Sequence, residues 1–93
     1  MHNAIVNTDA VIGENCIVNN MALIEHDVNI DSHCHISTGS RINGGVRIES
    51  EVFIGSGAVI LEEIRIGKGS VIGAGTTVTK DIPEGSLFIG KHE

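Results

Sequence analysis

The chain is poor in the residues that fill ordinary protein cores. It has no tryptophan, no tyrosine and only two phenylalanines, Phe53 and Phe88, among 93 residues. A globule of this size buries a modest core and leans on large rings to fill it. Their absence argues against that solution and favours a narrow interior packed with small branched side chains. Proline occurs once, at Pro83. Cations are scarce too: six Lys and Arg against twelve Asp and Glu leave a net charge of −6. That balance, with no basic run anywhere, argues against a nucleic-acid partner. No apolar stretch approaches the ~18 residues that a membrane helix needs, and no signal-peptide pattern opens the chain. The expectation is a soluble cytoplasmic protein with neither nucleic acid nor membrane as partner.

What the chain does have is a ladder. Every sixth residue from Val6 to Val78 is valine or isoleucine: Val6, Ile12, Val18, Ile24, Ile30, Ile36, Ile42, Ile48, Ile54, Ile60, Ile66, Ile72 and Val78. Neither a helix nor a simple strand has that period, whereas a short strand followed by a turn, repeated, does. The fifth residue of each hexad is also small or apolar, from Ala10 and Cys16 through Val46 and Ala58 to Ile82, and no charge falls at either inward position. Positions two to four carry Gly, Asn, Asp and Glu, which suit corners and water. The pattern predicts a parallel β-solenoid of about four coils. If three hexads make a coil, residues 18 apart stack. Cys16 and Cys34 then lie about 4.8 Å apart in adjacent coils; a disulfide is geometrically conceivable there, and two reduced, buried thiols are the favoured reading.

The hexad phrase Ile-Gly-x-Gly/Asn recurs at Ile12-Gly13, Ile54-Gly55, Ile66-Gly67 and Ile72-Gly73. In these residues the sequence resembles the hexapeptide-repeat acyltransferases. The resemblance implies an all-β fold, a parallel left-handed β-helix, and a homotrimer with active sites between subunits. The β-helix is expected over residues 1–83, with residues 84–93 a C-terminal tail that leaves it after Pro83, since proline cannot donate to a ladder. No cap is written at the N-terminus, which suggests a domain cut from a longer chain or a naturally shortened relative.

Four of five histidines (His2, His26, His33, His35) precede residue 36. The segment from Ile24 to Ile48 resembles a subgroup of sugar acetyltransferases, the sialic acid O-acetyltransferase type and the bacillosamine-pathway N-acetyltransferases. The shared features are His26-Asp27, His35 nine residues on, and Gly44-Gly45. The resemblance implies that His26 is a general base assisted by Asp27, and that His35, Gly44, Ser56 and Ala74 contact acetyl-CoA. Elementary chemistry agrees about His26. Acyl transfer from a thioester needs a base for the attacking amine or hydroxyl, and imidazole titrates in the useful range. Stacking by 18 puts Gly44 over His26, leaving open space beside the ring; Asp27 or Glu25 is available to orient it. Lys68, Lys80 and Lys91 are candidates for the phosphates of the coenzyme.

A metal site at His33-Cys34-His35 is the competing reading. Strand alternation turns Cys34 away from the two histidines, so the triplet cannot chelate together; zinc held by His33 and His35 with a residue of another subunit stays open as the lesser reading, and no metal is expected. The expected function is acetyl-CoA-dependent acetylation of an amino or hydroxyl group on a sugar or nucleotide sugar. Two alternatives stay open: a non-catalytic trimeric scaffold or truncated acyltransferase fragment, and an acetyltransferase for another small acceptor such as serine.

Overall fold

The computed structural model describes residues 4–90. Fourteen two-residue strands, and no helix, occur among the described residues. They form three parallel sheets wrapped as a three-sided tube. The first sheet joins β1 (Ile5–Val6), β4 (Leu23–Ile24), β7 (Arg41–Ile42), β10 (Val59–Ile60) and β13 (Thr77–Val78). The second joins β2 (Val11–Ile12), β5 (Asn29–Ile30), β8 (Arg47–Ile48) and β11 (Arg65–Ile66). The third joins β3 (Ile17–Val18), β6 (His35–Ile36), β9 (Phe53–Ile54), β12 (Val71–Ile72) and β14 (Leu87–Phe88). From β1 to β13 each strand pairs with the one three places on, so consecutive strands turn a corner and the third returns to the same face; β14 pairs with β12. This is a parallel β-helix.

The register follows the ladder. Ile24 lies beside Ile42, Ile30 beside Ile48 and Ile36 beside Ile54, each 18 residues on. From Ile24 to Ile72 these ladder side chains are 0–1% exposed. Full burial of one such side chain contributes about 1.5–3 kcal/mol, so the stacked column is the dominant stabilising element. The polar residues in the fifth-position column are satisfied rather than stranded. Ser40 Oγ donates to Ser37 O at 2.8 Å and to Gly55 O at 2.9 Å, and Ser70 Oγ donates to Pro83 O at 2.9 Å.

From Val6 to Thr77 corners are made by the fourth residue of each hexad, which takes a left-handed backbone. Positive φ values between 57° and 74° recur at Asp9, Asn15, Met21, Asp27, His33, Gly39, Gly45, Glu51, Gly57, Glu63, Gly69 and Gly75. Asp and Asn tolerate this region, whereas at Met21, Glu51 and Glu63 it costs roughly 1–2 kcal/mol each. A corner ladder offsets that cost: Glu51 N–H donates to Ser32 O at 3.1 Å and Glu63 N–H to Gly44 O at 3.0 Å.

The tube runs further than the hexads indicate. Leu87 and Phe88 pair with Val71 and Ile72, so the chain does not leave the helix after Pro83, and the first and third sheets count five strands. There are therefore about five coils, not about four, and the boundary expected at residue 83 is moved outward to include at least Phe88. Two residues are missing from the last coil: Ile82 bridges to Ile66, 16 residues back rather than 18. Ile82 thereby takes a ladder position instead of the fifth position. Pro83 is tolerated because it sits at a corner, where its carbonyl accepts Ser86 Oγ at 2.7 Å and its missing N–H is not needed by the ladder.

Candidate active site

Corners between the first and second sheets carry the chain through residues 7–9, 25–27, 43–45 and 61–63. His26 stands on the second of these, between β4 and β5. Its carbonyl accepts Gly45 N–H at 3.2 Å and the Asp27 N–H donates to Thr8 O at 3.2 Å, which pins the corner to the coils above and below. Asp27 has a φ of 60°, and its carboxylate Oδ2 lies 3.2 Å from His26 Nδ1. Both side chains are solvent-exposed, 68% and 64%. A carboxylate at this nitrogen favours the tautomer with its proton on Nδ1, which leaves the Nε2 lone pair bare. Of the two neighbouring acids, Asp27 holds the ring; Glu25 instead accepts Asn7 Nδ2 at 3.1 Å.

Gly44 lies directly over the imidazole. A Cβ placed on it would sit 3.1 Å from His26 Cε1 and 3.3 Å from Nε2. The missing side chain therefore keeps the Cε1–Nε2 edge of the ring clear. An open groove here is lined by His26, Asp27, Arg41, Asn43, Glu62 and Glu63. Arg41, Asn43 and Glu63 join the site only in the structure. Their 18- and 36-residue offsets from Leu23, Glu25 and Asp27 are the signal that marks them in the sequence.

The remaining expected residues stand elsewhere. His35 is in β6 on the third sheet, the face opposite the corner that carries His26. Its Nε2 lies 3.2 Å from Asn19 Nδ2, which donates to it, and its ring lies 4.9 Å from that of Phe53, tilted by 38°. Ser56 and Ala74 follow β9 and β12, on the corners between the third and first sheets. Their N–H groups make no hydrogen bond among the described residues, although the Ser56 carbonyl accepts Gly75 N–H at 2.8 Å. A Cβ on Gly55 would come within 2.5 Å of Ala74 N, so glycine is what lets these coils close up. One protomer thus brings together His26, Asp27 and Gly44, and separately His35, Ser56 and Ala74. It does not bring the two groups together.

The cations are dispersed. Lys68 donates its backbone N–H to Glu49 Oε1 at 3.0 Å on the second-to-third corner, Lys80 lies on the column above Glu62, and Lys91, like His2, is outside the described residues. Glu49 also accepts Arg65 Nε at 2.8 Å, and that guanidinium, together with the Lys68 N–H, holds the Glu49 carboxyl below the usual range. Among the described residues, no three His, Cys, Asp or Glu side chains are gathered to hold a metal ion. No helix among them is long and apolar enough to cross a membrane.

Known proteins share this architecture. Residues 45–80 match the family model for the bacterial transferase hexapeptide (six repeats). No curated protein sequence matches the chain. Among solved structures, a histidine-to-asparagine variant of perosamine N-acetyltransferase from Caulobacter crescentus, in complex with CoA and GDP-perosamine, superimposes with a TM-score of 0.95 at 33% identity. The match covers 97% of this chain and 43% of that one. WeeI from Acinetobacter baumannii has a TM-score of 0.74 and 26% identity over 94% of this chain and 52% of its own. The acetyltransferase domain of PglB from Neisseria gonorrhoeae, in complex with acetyl coenzyme A, has a TM-score of 0.73 over 96% and 52%. At 21% identity that last likeness speaks for the fold alone. The chain spans about half or less of the length of each of these proteins.

Proposed function

We propose that the chain, which matches the bacterial transferase hexapeptide model over residues 45–80, is the β-helix of an acetyl-CoA-dependent acetyltransferase acting on an amino or hydroxyl group of a sugar or nucleotide sugar. The observation that carries this reading is the His26–Asp27 pair beneath the open window at Gly44. CoA in the solved perosamine N-acetyltransferase variant, 33% identical to this chain, supports the choice of donor.

In this reaction His26 Nε2 takes the proton from the acceptor's nitrogen or oxygen as that atom attacks the thioester carbonyl. Asp27, 3.2 Å from Nδ1, stabilises the imidazolium that forms. The Gly44 N–H, which no ladder carbonyl takes, is a donor available to the developing oxyanion. Collapse of the tetrahedral intermediate expels the CoA thiolate, which recovers a proton from His26. General-base action of this kind contributes about 10²–10⁴-fold in rate.

His35, Ser56 and Ala74 enter the site from a second copy. The third sheet presents Ile17, Phe53, Val71 and Leu87 to solvent at 38–70% exposure, an apolar stripe suited to subunit contact. A homotrimer sets this face of one protomer beside the His26 corner of the next, so that each active site lies between subunits.

The test is a thiol-release assay with acetyl-CoA and a panel of amino sugars and nucleotide sugars. Acceptor-dependent release that His26→Ala abolishes is the expected result, and equal release by the variant would remove His26 as the base. Because the chain covers 43% of the perosamine enzyme, a second reading is specific: a trimeric scaffold without activity of its own. Failure to bind acetyl-CoA would favour it.

A further inference from the structure

Cys16 and Cys34 have no part in the proposed transfer, and their placement is particular. They occupy one inward column in the first and second coils, and both are free thiols. The residues that follow them, Ile17 and His35, are ladder partners, and Ile17 N–H donates to Cys34 O at 2.9 Å. Their Cα atoms are thus held at the strand spacing of about 4.8 Å, within the roughly 4.4–6.8 Å that disulfides occupy. The thiols also point the same way. Cys16 Sγ donates to Asp31 O at 3.0 Å, and Cys34 Sγ donates to the equivalent carbonyl one coil on, Glu49 O, at 3.1 Å.

We propose that Cys16 and Cys34 form a dithiol modification site, converted by a disulfide oxidant such as oxidised glutathione into a bond that staples the first coil to the second. Cys16 is the more accessible thiol, while Cys34 is 2% exposed. The Cys16 thiolate attacks one sulfur of the oxidant and expels one glutathione thiolate, leaving a mixed disulfide. The Cys34 thiol then loses its proton and attacks Cys16 Sγ, expelling the second glutathione. Two electrons and two protons leave the protein, and the oxidant departs as two thiols. Burial pushes the Cys34 thiol up to about 11, so the closing step is slow at neutral pH and accelerates as pH rises. The loop it closes contains His26 and Asp27, and the staple joins the coil of Thr8 to the coil of Asp27, whose N–H the Thr8 carbonyl accepts.

The experiment treats the native chain with oxidised glutathione, blocks residual thiols and digests without reduction, using a protease that cuts after glutamate. Glu25 lies between the cysteines, so the bond joins two separate peptides. The expected result is that linked pair, two hydrogens lighter than the sum, with a thermal midpoint raised by about 5 °C or more and restored by dithiothreitol. Cys16→Ser and Cys34→Ser should each fold and show neither change, and the yield of linked peptide should rise from about pH 7 to about pH 9. A glutathione adduct on Cys16 as the stable end product, a bond between chains, or a linked pair with no change in midpoint would overturn the proposal. None of these readouts depends on acetyl transfer.

Discussion

The corner that carries His26 and the sheet that carries His35 differ in almost every physical respect. The corner is wet and acidic: His26 and Asp27 are about two-thirds exposed, and Glu62 and Glu63 line the same groove. The sheet is apolar, with His35 stacked on Phe53 and held by Asn19, between Ile17 and Val71. Both histidines are positioned, one by a carboxylate and the other by a ring and an amide. A carboxylate prepares an imidazole to accept a proton at its other nitrogen. A stacked ring within an apolar stripe prepares a surface for contact. Under the proposed function neither region is a complete site, and chemistry and binding fall on opposite sides of one tube.

This division of labour is tested most severely at the sheet. Phe53→Asp places a charge on the apolar stripe without touching the core, so the coils should stay folded while assembly and transfer are both lost. Sedimentation would give the oligomeric state and thiol release the rate. A monomer that still transfers would end the intersubunit site. Next in size, His26→Ala should lower the transfer rate by about 10²–10⁴-fold with the thermal midpoint and the assembly unchanged. Asp27→Asn keeps a residue that tolerates the left-handed backbone at φ 60° but removes the charge. Its turnover should fall by less than that of His26→Ala, because the pair is solvent-exposed, and in kcat rather than KM. Gly44→Ala crowds the ring edge at 3.1–3.3 Å and should cost about tenfold in kcat/KM, again without loss of stability.

The smallest effect belongs to a corner outside both regions. Glu49 is held below the usual carboxylate range chiefly by its hydrogen bond from Arg65. Its contribution to stability is present above the unfolded pKa and is lost as pH falls through the lower folded value. Glu49→Gln should therefore slightly lower the midpoint at neutral pH and flatten its fall on acidification, while transfer is unaffected. Thermal melts across the acid range would check it.

Much of this was legible in the chain. A Val or Ile at every sixth residue admits little but a coil, and it located the buried column from Ile24 to Ile72. The 18-residue offset also put Gly44 over His26. Two things were hidden. The coil that contains Ile82 is two residues short, and Ile82 is apolar in either frame, so the pattern could not reveal that it had changed columns or that Leu87 and Phe88 rejoin the third sheet. The second concerns His26 and His35. Their separation of nine residues is half a coil, which places them on opposite sides of the tube even though they are close in sequence.

The tube itself is dictated by sequence alone, because a period of six with branched apolar side chains has one economical way to bury them. So is the identity of the residues that stack, since the stack is the period times three. Which neighbours interact was left to the folded coils. Asp27 rather than Glu25 faces the imidazole, because the left-handed corner turns its carboxylate toward Nδ1 while Asn7 engages Glu25. His35 stands across the tube from His26 for a related reason: the three corners of each coil, not distance along the chain, set which faces meet.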